Sequence, residues 1–300
     1  MKNFKSTYYL LILICILTSC HQKISKNENL EHTIRTQIDS INGTVAVAYY
    51  NLSDPKDSLF INVDENFHAA STMKVPVMIE LFKQANEGKL NVNDSILLKN
   101  EFKSIVDGSI YSMDINDDSD DVIYKHIGTK VAIKDLIHSM ITVSSNLATN
   151  VLIELVNAKN VTATMRNLGA KNINVLRGVE DIKAYNKGLS NTTTARDLMI
   201  IMKAIAKNKA GSKADSKAMI DILKDQQFKS VIPKHLPNSV TVAHKTGSIT
   251  GVHHDAGIVY LPDGRSYVIV LLSKELKDFE KGTEQLAKIS KTIYNYVVDN

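Results

Sequence analysis

Ser71-Thr72-Met73-Lys74-Val75-Pro76-Val77-Met78-Ile79-Glu80-Leu81-Phe82 is the stretch in which the period of the sequence changes. Upstream of it, residues 44–50 are β-branched and aromatic, residues 51–57 supply turn formers, and residues 58–63 read as a returning strand; the pattern predicts a hairpin. From Ser71, Val75, Met78, Ile79 and Phe82 recur at helical spacing, and Gly88 ends the helix. Pro76 breaks a helix interior but is tolerated in a first turn, so the helix starts close to Ser71. Positions three apart share a helix face, which points the Ser71 hydroxyl and the Lys74 amine the same way.

Further helices are expected at residues 133–141, 146–156, 161–168, 192–207 and 214–226, and a first one at 30–40. Residues 114–121 are acidic and read as a solvated loop. Strand patterns return at residues 240–245, 254–261 and 266–272, with Pro262-Asp263-Gly264 as a turn between the last two, before a final helix over 279–298. No internal repeat is present. This order fits an α+β fold: an antiparallel sheet built from both chain ends (about 30–70 and 227–300), with a helical lobe (about 71–226) inserted and one cleft between the lobes.

With 300 residues, 44% of them hydrophobic, the chain can bury a large core, and with aromatics at 6% and no Trp that core has to be aliphatic. The formal charge is +4, and without Lys2 and Lys5 there are 34 basic against 32 acidic residues. An excess this small, scattered along the chain, argues against nucleic acid as a partner.

Lys2 and Lys5 precede an apolar run over residues 8–17, short for a mature membrane span but suited to a signal-peptide core. Leu17-Thr18-Ser19-Cys20 ends it and resembles a bacterial lipobox. Residues 1–19 are therefore expected to leave as a lipoprotein signal peptide, with Cys20 lipidated and residues 20–29 a polar tether. The other reading is an ordinary signal peptide or anchor with a chance Cys. In the first reading the protein is an exported, membrane-anchored lipoprotein facing the periplasm or the cell exterior. The only other cysteine, Cys15, leaves with the signal, so the mature chain has no free thiol or disulfide.

Two more short motifs carry chemistry. At Ser144-Ser145-Asn146, a hydroxyl can relay a proton to a leaving nitrogen and an amide can orient both Lys74 and a substrate amide. At Lys245-Thr246-Gly247, which ends an apolar strand, a cation and a hydroxyl suit a carboxylate, and Gly247 lets a ligand approach the backbone. Taken singly, Ser71 and Lys74 read as well as a helix cap and an exposed Lys, Ser144 to Asn146 as another cap, and Gly247 as a turn.

Their order and context change this. Ser-x-x-Lys, Ser-x-Asn and Lys-Thr-Gly fall on a helix, a helix start and a strand. In this the chain resembles the class A β-lactamases and penicillin-binding proteins, over nearly everything from Leu30 onward. The resemblance implies a three-layer αβα domain with a five-stranded sheet. It also implies roles: Ser71 as nucleophile, Lys74 as base, Ser144 as proton relay to the leaving nitrogen, and Asn146 as substrate holder. Lys245 and Thr246 would bind the substrate carboxylate, with the backbone N–H groups of Ser71 and Ser248 as oxyanion hole. Glu180 lies 36 residues after Ser144, where that family places the Glu that activates the hydrolytic water, and Arg177 would pin its loop through a carboxylate. A β-lactam is then the small-molecule substrate of a monomer without cofactor or metal. The alternatives are a D-alanyl-D-alanine peptidase or related cell-wall amidase, and a penicillin-binding sensor that is acylated without turnover.

Departures from the pattern bear on deacylation. Ser145 stands where class A enzymes have Asp, and Asp181 where they have Pro. Ala184 replaces the Asn that helps hold the water, and no Arg follows Lys-Thr-Gly where many β-lactamases have one. His253 and His254 are adjacent on a strand and point to opposite faces, which argues against their sharing a metal. His244 is expected in the core, and Asp255 in the packing of the cleft floor.

Overall fold

The computed structural model describes residues 26–300. The expected signal peptide, the expected lipidation site Cys20 and residues 20–25 lie outside the described residues. Helix α1 spans Lys26–Asp39, so the end of the expected tether is helical. Leu30 and Ile34 bury its apolar stripe, and Asn27 Nδ2 donates to the Ser58 carbonyl, which fixes the extra first turn.

Strands β1 (Thr44–Asn51) and β2 (Ser58–Ile61) form the expected hairpin. Strands β3 (Thr241–Ile249), β4 (Val252–Tyr260) and β5 (Ser266–Lys274) form a meander, and the five make one antiparallel sheet in the order β2-β1-β5-β4-β3. The far ends of the chain meet at the β1–β5 ladder, where Ala48 faces Val270.

The sheet is covered on both faces, which is why its strands read as nearly continuous apolar runs. Ala46, Ala48, Val268, Val270 and Leu272 point into one aliphatic core, while Val45, Val47, Tyr49, Ile269 and Leu271 point into the other. The second core is closed by α1 and by the C-terminal helix α9 (Phe279–Val298). The first is closed by the central helices α2 (Lys74–Asn86), α3 (Ile133–Thr142), α4 (Asn146–Val156), α5 (Ala158–Asn167), α7 (Ala195–Ala206) and α8 (Lys213–Lys224), while the short α6 (Ile182–Asn186) lies outside it. Helix α7 lies against β1, β4 and β5, and one continuous core joins it to α2 and the helices beyond. This is an αβα sandwich with an inserted helical lobe.

Two expectations need correction. The helix expected over 192–207 begins only at Ala195, because Thr192–Thr193 pairs as a short strand with Phe67–His68 and Thr194 caps the helix by accepting from Asp197 N. Propensity loses here to a tertiary pairing just ahead of Ser71. The acidic loop over 114–121 is docked as well as solvated: Asp118 accepts from the backbone N–H groups of Asn146 and Leu147, and Ser139 donates to Asp120.

Candidate active site

Ser71 lies in a short 3-10 turn, Ala70–Met73, which runs directly into α2. Pro76 sits in the first turn of α2, where its missing N–H costs no intrahelical bond. Strand β3 passes against this turn. A Cβ on Gly247 would stand 3.0 Å from Ser71 N and 3.1 Å from Thr72 N, so only glycine allows the approach.

Lys74 is fully buried and its Nζ donates to the Ser144 carbonyl at 2.7 Å, to Ser144 Oγ at 3.1 Å and to Asn146 Oδ1 at 2.9 Å. Lys245, also fully buried, donates to the same Ser144 Oγ from β3 at 3.1 Å and to the Thr246 carbonyl at 2.9 Å. One hydroxyl thus bridges two amines, and with both its lone pairs engaged its own proton is free for a third group. Burial pushes the Lys74 amine down to about 7, against the carboxylates of Asp118 and Glu180. Burial and the Lys74 charge lower Lys245 as well, against Asp255. Two neighbouring buried amines do not both hold a proton at low cost.

A cavity of about 260 Å³ opens beside Ser71 and is lined by Asn146, Glu180, Tyr185 and Ser248, among others. Thr246 stands just before Gly247 and is almost wholly buried. Glu180 therefore shares the cavity with Ser71. Burial and the nearby Asp117 raise its carboxyl above the ordinary value, against Arg177 and Lys74.

The loop carrying Glu180 is tied down at several points. Asn150 clamps Val179, accepting from its N–H at 2.6 Å and donating to its carbonyl at 3.0 Å, while Tyr111 Oη donates to that carbonyl at 3.2 Å. Asp181 accepts from Ser104 Oγ and Ile105 N, both at 2.9 Å, and from Ala184 N at 3.1 Å. Arg177 pins the loop through carbonyls rather than the expected carboxylate, donating to Leu189 O and Gly178 O, each at 2.9 Å. Asn191 closes the loop base by accepting from Leu176 N and Arg177 N and donating to Arg177 O. Ala184 is fully buried and brings no polar group to the cavity.

Ala70, Ser144 and Glu180 all have positive φ, at 44°, 60° and 59°. Left-handed backbone at non-glycine residues is held only where the surroundings over-determine it. Around Ala70 they do: Ala69 N donates to Asn191 O, Ala70 N to His68 Nδ1, and the His68 carbonyl accepts from His254 Nε2 at 2.8 Å. His254 Nδ1 accepts from Ser273 N at 3.2 Å, which fixes the ring as neutral with its proton on Nε2. His253 points the other way, bonding Thr283 and stacking on Phe279. His244 is indeed in the core, bonded through Nδ1 to the fully buried Asp255, which also accepts from Ile232 N.

The structure thus gathers Ser71, Lys74, Ser144, Asn146, Glu180, Lys245, Thr246 and Ser248 about one cleft. Reading the residues alone missed Asp118, Asn150 and Asn191, and it placed His254 on its strand facing away from His253 without finding its bond to His68. Of the three, only Asp118 leaves a trace, as an acidic run ahead of a motif that lacks an acid of its own.

In this three-layer αβα domain a serine and two buried lysines converge on one cleft. The model of the β-lactamase enzyme family matches residues 29–297, and the chain belongs to that family. It is 24% identical over 304 residues to β-lactamase VEB-1 of Pseudomonas aeruginosa, covering 97% of each chain. It is 24% identical over 287 residues to the extended-spectrum β-lactamase PER-1 of the same organism, covering 88% of this chain and 87% of that one. Among solved structures, PBP-A superposes with a TM-score of 0.77 at 25% identity, over 91% of this chain and 97% of that one. The TLA-1 extended-spectrum β-lactamase shares the fold with a TM-score of 0.79 at 21% identity, over 91% of this chain and all of that one.

Proposed function

We propose that the protein is a serine β-lactamase that opens the lactam amide through a Ser71 acyl-enzyme and hydrolyses it with water activated by Glu180. Ser71 Oγ attacks the lactam carbonyl and passes its proton to neutral Lys74, while the N–H groups of Ser71 and Ser248 stabilise the oxyanion. The C–N bond then breaks, with Ser144 handing its proton to the leaving nitrogen and recovering one from Lys74. Asn146 orients the substrate, and Lys245 and Thr246 hold its carboxylate. Glu180 takes a proton from water as the water attacks the ester carbonyl; the bond from the acyl carbon to Ser71 Oγ then breaks, and the proton passes to Ser71 Oγ, restoring the serine and the Glu180 carboxylate.

The observation that carries this reading is the buried Lys74 amine, lowered to about 7 and one hydrogen bond from Ser144 Oγ, which Lys245 holds from the opposite wall. Turnover of a chromogenic cephalosporin tests it. Steady hydrolysis is expected from the native protein, with loss of turnover but not of labelling in Glu180→Ala. Absence of any labelling of Ser71 overturns it.

A second reading is favoured by the buried Ala184, which offers Glu180 no amide partner for a water. In it the acyl-enzyme persists, and the protein is a cell-wall peptidase or a penicillin sensor. A relative by fold supports its plausibility: a mutant of PBP-A, 26% identical to this chain, is known as an acyl-enzyme complex with penicillin G. A stoichiometric burst of cephalosporin cleavage without turnover by the native protein favours this reading. The N-terminal pattern of Lys2, Lys5, the apolar run and Ser19-Cys20 supports export and lipid anchoring through Cys20; loss of membrane association in Cys20→Ala is the expected outcome.

A further inference from the structure

Ser145 leaves helix α4 incompletely capped. Its hydroxyl accepts from Ala148 N at 3.2 Å, yet the N–H groups of Asn146 and Leu147, the first two of the helix, need other acceptors. Both go to one carboxylate: Asp118 Oδ1 accepts from Asn146 N at 2.9 Å and Oδ2 from Leu147 N at 2.8 Å. The Tyr124 hydroxyl holds the same carboxylate at 3.0 Å. The residues on either side grip the same motif, with Asn146 Nδ2 donating to Asp117 O at 3.4 Å and Ser119 Oγ to Val143 O at 2.6 Å.

We propose that Asp118 is a positioning residue: it supplies from a separate loop the carboxylate cap that Ser145 cannot, and so fixes Ser144 and Asn146 against Lys74 Nζ. A negative group at a helix N-terminus is favoured by both the free N–H groups and the helix dipole. The charged groups facing Lys74 are Lys245 on β3 across Ser144 Oγ, Glu180 on its loop, with Asp117 beside Glu180, and Asp118 itself. Only Asp118 among them both bonds the backbone of the 144–146 motif and places negative charge near the amine. Removing its charge lets Lys74 lose its proton at lower pH.

The effect on rate rests on Ser71 being the acylated nucleophile; the effect on Lys74 does not. The test is therefore a Lys74 titration by NMR of the protein labelled at lysine Cε, with the signal assigned through Lys74→Arg. Asp118→Asn keeps the shape of the side chain and is expected to move the Lys74 midpoint to lower pH. Penicillin acylation of Ser71 should slow on the order of 10- to 100-fold, the range expected when reacting groups are displaced. The acid limb of that acylation should move with the midpoint, and Asp118→Glu should restore it. A shifted Lys74 midpoint in a protein whose native form is never acylated keeps the positioning role and removes the nucleophile reading instead. An unmoved Lys74 midpoint in Asp118→Asn overturns the proposal, whether or not the rate falls, because a purely structural cap would leave the amine as it was.

Discussion

Burial and charge oppose each other at Lys74, and burial wins. The net fall from 10.5 to about 7 corresponds to roughly 5 kcal/mol against the charged form, and it remains after Asp118 and Glu180 have offset part of the cost of burial. An amine that is neutral above about pH 7 can accept the Ser71 proton, and one protonated below it cannot. Labelling of Ser71 by a penicillin should therefore slow as pH falls through about 7 and level off above it, and stopped-flow acylation against pH measures this. A rate flat from pH 5 to 9 would remove Lys74 as the base. Gly247 is the second decisive residue. Gly247→Ala brings a Cβ to 3.0 Å from Ser71 N, so strand and turn have to part. That should cost about 1–3 kcal/mol of stability and most of the acylation rate, seen together as a lower Tm and a loss of labelling. The motif residues were legible in the sequence because each brings its own chemistry at fixed short spacing. Asp118 and His254 were not, because what they do depends on Asn146 and His68, distant in the chain.

The loop over 176–191 is the element on which turnover depends in this reading. Its grip is backbone-directed: Asn150 takes both polar groups of Val179, immediately before the strained Glu180. Asn150→Ala leaves those groups without their amide partner and should cost about 1–3 kcal/mol. A differential scan should show Tm lower by several degrees. In kinetics, deacylation should fall further than acylation, since Ser71 and Lys74 are held elsewhere; equal losses in both steps would contradict this. Asp181, where the family pattern expects Pro, ties the same loop to Ser104 and Ile105, so the substitution is a different fastening rather than a missing one. Periodicity found the long helices and the sheet strands. It failed at residues 192–193 and in the acidic loop, where pairing with Phe67–His68 and capping of α4 set the conformation against local preference.

Across the whole molecule, a sheet made from both chain ends separates two aliphatic cores, and the cleft lies where β3 meets the start of α2. His254 links these parts, reaching from β4 to the carbonyl of His68 while accepting from Ser273 N on β5. Burial pushes its imidazole from the ordinary 6.5 down to about 4. Between those values the unfolded chain binds the proton more tightly than the fold does. The stabilising difference is therefore complete above pH 6.5 and is lost as pH falls through about 4, by at most roughly 3 kcal/mol. Thermal unfolding from pH 7 to 4 should show Tm falling, and His254→Gln should flatten that slope; an unchanged slope would mean the acid sensitivity lies elsewhere. The most direct test of the enzyme reading is intact-mass spectrometry with peptide mapping after mixing Glu180→Ala with a penicillin. One stoichiometric adduct on Ser71 is expected, persisting for as long as the native protein takes to turn over many equivalents. An adduct on another residue, or none, would contradict it.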